Sequence, residues 1–195
     1  MKGKDAVVSY SMTGSSYLGA IQIYWKYYDF PFLRSQALFR DTDINAVTVS
    51  SQNVYAVGAS EPGVFDDPAI LEVIKMSGTK LVLTDNDRLG LTSFAGTSVS
   101  YDDHNEKIYA TSGNTGGLTV VDDSAFTVDE LISLDDARWV HFEDSTDTLV
   151  VAQGCCGSSE NGQISVYDLN NGAPGFQDAF GFTGADIAES KSTVE

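Results

Sequence analysis

Asn45-Ala46-Val47-Thr48-Val49-Ser50 runs through a polar turn into Asn53-Val54-Tyr55-Ala56-Val57-Gly58. The same figure returns at Thr97-Ser98-Val99-Ser100-Tyr101-Asp102, followed by Lys107-Ile108-Tyr109-Ala110-Thr111-Ser112-Gly113. It returns again at Arg138-Trp139-Val140-His141-Phe142-Glu143, followed by Thr148-Leu149-Val150-Val151-Ala152-Gln153-Gly154. Side chains alternate across a strand, so Val47 and Val49, Val99 and Tyr101, and Val140 and Phe142 fall on one face. Ala46 and Thr48, Ser98 and Ser100, and Trp139 and His141 fall on the other. The Asp, Asn and Ser residues between the strands are hairpin formers.

A third strand follows each pair: Ala69 to Ile74, Gly117 to Asp122, and Gln163 to Asp168. Fourth strands follow at Val128 to Leu134 and Phe176 to Phe180. Four antiparallel strands recurring every roughly 40 to 55 residues read as the blade of a β-propeller. Helical periodicity is weak throughout, and the best window, Ala69 to Met76, reads equally well as a buried strand. The chain opens on Asp5 to Tyr10, which matches the second strand of a blade. It closes on Gly184 to Glu189, which matches a first strand. The expected fold is all-β, with blades at 5–40 (completed by 184–190), 43–92, 95–135 and 136–182. Two closures stay open: a small four-bladed ring, or an arc of a larger propeller that could pair with a second copy as a homodimer.

The chain has 195 residues, 42% of them hydrophobic, enough for a sizeable core. Eleven Lys and Arg stand against 28 Asp and Glu, for a formal net charge of -17. That field repels phosphate backbones and anionic lipid, so nucleic acid is not an expected partner. Cationic ligands, calcium and basic proteins stay open. No apolar run is long enough to span a bilayer, and the N-terminus lacks the apolar stretch of a signal peptide. The acidic, Gly/Ser/Asp/Tyr-rich composition leads us to expect an extracellular, periplasmic or cell-surface setting.

At Gly116-Gly117-Leu118-Thr119-Val120-Val121-Asp122, preceded by Lys107 to Gly113, the chain resembles the LVIVD-type repeat of bacterial surface propellers. The resemblance covers about one blade well and the others loosely. Ala69 to Ile74 and Gln163 to Asp168 keep the strand but lose the Gly-Leu opening. The resemblance implies a propeller at the cell surface or secreted. WD-repeat dipeptides and quinoprotein tryptophan motifs are absent.

Ligands of propellers sit at the mouth of the central channel, where the innermost strands begin. The matching positions are Asn45, Thr97, Arg138 and Asp186, with Asp41, Asp43, Asp135 and Asp136 nearby. An Arg facing carboxylates could hold a polar or carboxylate-bearing ligand by bidentate hydrogen bonds, or these residues simply pair around the channel. Acidic loops at Asp41-Thr42-Asp43, Asp85-Asn86-Asp87, Asp102-Asp103 and Asp122-Asp123 offer hard oxygen ligands to calcium. Asp85 and Asp87 are the candidate calcium ligands, although Asp and Asn are also ordinary turn residues.

Cys155 and Cys156 are adjacent between glycines and could form a vicinal disulfide or remain free thiols. His104 lies in a polar turn, and His141 lies on an inner strand beside Trp139. Neither accompanies a nucleophile-elbow sequence. The aromatic run Tyr24, Trp25, Tyr27, Tyr28, Phe30 and Phe32 reads as packing or as an exposed binding patch. The sequence therefore points first to a non-enzymatic ligand- or protein-binding propeller at a bacterial surface or in the periplasm. The alternatives are a hydrolase or lyase acting at the channel mouth with bound calcium, and a structural repeat segment of a longer protein.

Overall fold

The computed structural model describes residues 5–12, 16–26, 31–60, 69–92, 95–113, 115–154 and 162–182. Among these residues every regular element is a strand. The first sheet has three strands, β1 (Asp5–Ser11), β2 (Gly19–Trp25) and β3 (Phe32–Phe39). The second holds β4 (Thr42–Val49), β5 (Asn53–Ser60), β6 (Ala69–Ser77) and β7 (Lys80–Gly90). The third holds β8 (Gly96–Asp102), β9 (Lys107–Ser112), β10 (Gly117–Asp122) and β11 (Thr127–Ile132). The fourth holds β12 (Ala137–Glu143), β13 (Thr148–Gln153), β14 (Gly162–Asn170) and β15 (Ala173–Phe182). In every sheet the strands are antiparallel and adjacent in chain order, as in a propeller blade.

The registers make the repeat literal. Tyr55 pairs with Val73, Tyr109 with Val120, Val150 with Val166, and Val7 with Ile23. Thus β1 stands where β5, β9 and β13 stand, and the first sheet has the three strands of a blade without its first one. Residues 184–190, expected to complete it, lie outside the described residues.

Sheet faces meet sheet faces. Ile21, Ile23, Ala37 and Phe39 of the first sheet pack on Ile44, Val54, Ala56 and Ile74 of the second. Tyr55, Val57, Leu71 and Val73 on the far side of the second meet Val99, Ile108, Ala110 and Val121 of the third. Tyr109, Leu118 and Val120 then meet Val140, Phe142, Leu149 and Val151 of the fourth. Each of the larger of these side chains stabilises the fold by roughly 1.5–3 kcal/mol through burial. The first strands β4, β8 and β12 pack against one another in sequence. Among the described residues, no strand of the fourth sheet packs along a strand of the first.

One local expectation is corrected. Asp85-Asn86-Asp87 is not a loop but part of β7, with Asn86 opposite Ile74 and Asp87 opposite Val73. The β6–β7 hairpin turns early, at Gly78 and Thr79, where Gly78 takes φ 64°. The partner strand β6 pairs with Asn86 and Asp87, while Asp85 falls in the irregular stretch between Leu81 and Asn86 where the register shifts.

Candidate functional site: an acidic groove between the second and third sheets

The first strand of each complete sheet carries a β-bulge at the same place. Asn45, Thr97 and Arg138 are the extra residues, set between Ile44 and Ala46, Gly96 and Ser98, and Ala137 and Trp139. A bulge re-aims its side chain, and here the aim is at the next sheet. Asn45 Nδ2 donates to the Gly96 carbonyl at 2.8 Å, and Thr97 Oγ1 donates to the Ala137 carbonyl at 2.8 Å. The expected channel-mouth residues thus occupy equivalent positions on neighbouring first strands, and two of them stitch sheet to sheet. Arg138, third in the series, pairs with Asp136 at 2.5 Å. Asp186 lies outside the described residues, as do Cys155 and Cys156.

A concavity lies at the opposite end of β4. A groove of about 620 Å3 is lined by Ser50, Asn53, Tyr101, Asp103, Glu106 and Asp123, together with Val49, Ser51 and Gln52. Three hairpin turns build it: the β4–β5 turn of the second sheet, and the β8–β9 and β10–β11 turns of the third. Tyr55 is fully buried beneath it and donates to Asp123 Oδ2 at 2.6 Å, with its ring stacked on Tyr101 at 4.8 Å. Burial, reinforced by the hydrogen bond to Asp123, pushes the Tyr55 phenol far above its ordinary pKa, so it stays a donor. Burial also raises Tyr101, with the charge of Asp123 adding to it. Asp103, Glu106 and Asp123 therefore converge around a neutral, hydrogen-bonded floor.

The remaining acidic pairs build turns. Asp102 is buried, and its Oδ1 accepts from the backbone amides of His104 and Asn105 at 2.9 and 3.1 Å. Asp122 Oδ1 accepts from the Ala125 amide at 2.7 Å, and its Oδ2 meets Lys107 Nζ at 2.8 Å. Asp102, Asp103 and His104 bring ligand atoms within 4.8 Å of one another. Hydrogen bonds within the turn already account for Asp102. Asp41 grips Arg88 through both carboxylate oxygens, at 2.9 and 3.0 Å. Arg88 in turn donates to the fully buried Glu72 at 2.8 Å. Both histidines are exposed: His104 faces Asp144 at 2.8 Å, and His141 stacks on Trp139 at 5.6 Å. From the aromatic run, Trp25 and Phe32 are exposed on the first sheet, with Lys26 Nζ 4.4 Å from the Trp25 ring centre. Tyr27, Tyr28 and Phe30 lie outside the described residues.

Solved structures share this arrangement. A protein from Lactobacillus plantarum matches with TM-score 0.66 at 13% identity, over 91% of this chain and 52% of its own. A structure of a nidogen/laminin complex matches with TM-score 0.56 at 13% identity, over 83% of this chain and 59% of its own. These are propeller-type neighbours, and at such identity the likeness shows the fold alone. The chain is therefore an all-β, propeller-like array of blades, and it spans 52–59% of the length of these two neighbours. No family model matches the sequence, and no curated protein matches it.

The channel-mouth residues Asn45, Thr97 and Arg138 lie at the other end of these strands, and the groove is not among the positions the sequence singles out. The signal was present in Tyr55 and Tyr109, which recur at one repeat position. Each crosses to the third hairpin turn of the next sheet: Tyr55 reaches Asp123, and Tyr109 reaches the Gly172 carbonyl at 2.8 Å.

Proposed function

We propose that the chain is a binding propeller of the bacterial surface or periplasm, and that it takes a cationic ligand or a basic peptide in the groove between its second and third sheets. One observation carries this reading: Asp103, Glu106 and Asp123 converge on an open groove of about 620 Å3 floored by Tyr101 and Tyr55. Carboxylates accept charge-assisted hydrogen bonds from ammonium and guanidinium groups, and the face of Tyr101 offers a cation–π contact. The net charge of -17 raises the local concentration of cations and speeds their arrival. The surface setting rests on the resemblance of Gly116 to Asp122 to LVIVD-type repeats.

The test is calorimetric titration with spermine and with a short oligolysine, in the intact chain and in the double variant Asp103→Asn/Glu106→Gln. The intact chain is expected to bind with salt-dependent affinity, and the variant about ten-fold more weakly, as loss of two exposed charges implies. Equal binding by both proteins would remove the groove from the account.

A further inference from the structure

The chain carries a net charge of -17, yet one part of its surface is basic and aromatic. Arg88, Lys107 and Arg138 are held by carboxylates. Lys26 and Arg34 have no carboxylate partner among the described residues and lie on an aromatic ring instead. Lys26 Nζ is 4.4 Å from the Trp25 ring centre, and the Arg34 guanidinium carbon is 5.8 Å from it. A bulge puts Arg34 there. Ile23 pairs with Ser35 and Tyr24 with Leu33, so Arg34 is the extra residue of β3 and its side chain is re-aimed. Trp25 shares a strand face with Ile21 and Ile23, which pack on the second sheet. The cluster therefore forms the rim of the junction between the first two sheets.

The second sheet adds a third cation at this rim. Ser35 Oγ accepts from the Leu81 amide at 2.9 Å, which ties β3 to β7. Exposed Lys80 precedes Leu81 as exposed Arg34 precedes Ser35. Trp25 and Phe32 are 39% and 55% exposed, with ring centres 6.2 Å apart. Asp5, opposite Trp25 on β1, is the one carboxylate among the described residues at these strand ends. Three cations against one carboxylate reverse the balance of a chain with 11 Lys and Arg against 28 Asp and Glu. An anionic partner complements that rim, and the charge pattern fixes where it lands.

We propose that this rim binds an acidic polysaccharide, one whose sugar rings carry carboxylates. A guanidinium grips a carboxylate through two parallel hydrogen bonds, and an ammonium adds a point charge. A uronate ring holds its carboxylate rigidly beside an apolar C–H face, so one ring meets an exposed aromatic and a cation together. An acidic peptide spreads those two features over separate flexible side chains, and ordering them costs entropy. An anionic bilayer is opposed by the chain's own field. It would bring a broad negative surface within a Debye length, about 10 Å at 0.1 M salt, of the surrounding carboxylates. A single sugar chain touches the rim alone. This site lies between the first and second sheets and is independent of what the acidic groove holds.

Calorimetric titration with tetragalacturonate tests the proposal, in the intact chain, in Arg34→Gln/Lys80→Gln and in Trp25→Leu. All three positions are exposed, and circular dichroism checks that each variant keeps its fold. The intact chain is expected to bind, with affinity that falls as salt rises. The charge variant is expected to bind about ten-fold more weakly, as loss of two exposed charge pairs implies. Trp25→Leu is expected to weaken binding while leaving its salt dependence in place, and neutral maltotetraose is expected not to bind. Absence of binding at millimolar tetragalacturonate would overturn the proposal. So would equal binding by the intact chain and the charge variant. Tighter binding of tetra-aspartate, or of phosphatidylglycerol vesicles, would overturn it too, since the rim would then serve a peptide or a membrane.

Discussion

Tyr55 and Tyr109 hold the same repeat position one sheet apart. Both are fully buried, and both send a phenol across to a hairpin turn of the next sheet. Tyr109→Phe should cost about 1 kcal/mol in chemical denaturation, because it leaves the Gly172 carbonyl without its donor. Gly58 is fixed by contact with backbone: a methyl group there would come within 1.8 Å of the Asp43 carbonyl oxygen. Gly58→Ala should cost about 2–3 kcal/mol as overpacking, read as a lowered Tm. Lys107 lies between Asp122 and Asp129, at 2.8 and 2.6 Å. The Lys107 ammonium, with the Ala125 amide and the Ser124 hydroxyl, holds the Asp122 carboxyl well below the usual carboxylate range. A depressed folded-state pKa stabilises above the ordinary Asp value near 3.9 and is lost as pH falls below it. Lys107→Met should therefore narrow the stability difference between pH 6 and acid, seen as a shallower acid limb in a plot of Tm against pH.

At the scale of the element, the bulged first strand joins one sheet to the next. Asn45 and Thr97 each donate across to a backbone carbonyl at the start of the neighbouring first strand. Asn45→Ala and Thr97→Val should each cost about 1 kcal/mol. Hydrogen exchange should show the loss at the Gly96 and Ala137 ends of β8 and β12, with the ladders inside each sheet unchanged. The strands themselves were legible in the sequence, since alternation and turn residues are local and recur with the repeat. Bulges were not, because Asn45, Thr97 and Arg138 each look like ordinary first residues of an alternating run. The reading of Asp85-Asn86-Asp87 as a loop failed for a related reason. Asn86 and Asp87 are residues typical of turns, yet they are held in the ladder opposite Ile74 and Val73 of β6.

At the scale of the whole molecule, the repeat in the sequence was enough to reach a propeller-like array, because each blade repeats its core positions within about fifty residues. The groove was not reachable that way. It is assembled from turns of two blades, with Tyr55 and Asp123 68 residues apart in the chain, and no local pattern ties them. The account rests on propeller-like blades that set an acidic groove between the second and third sheets. Calorimetric titration of spermine into the intact chain and into Asp103→Asn/Glu106→Gln tests that most directly. Salt-dependent binding by the intact chain, weakened about ten-fold in the variant, is expected. Equal binding by both proteins would contradict it.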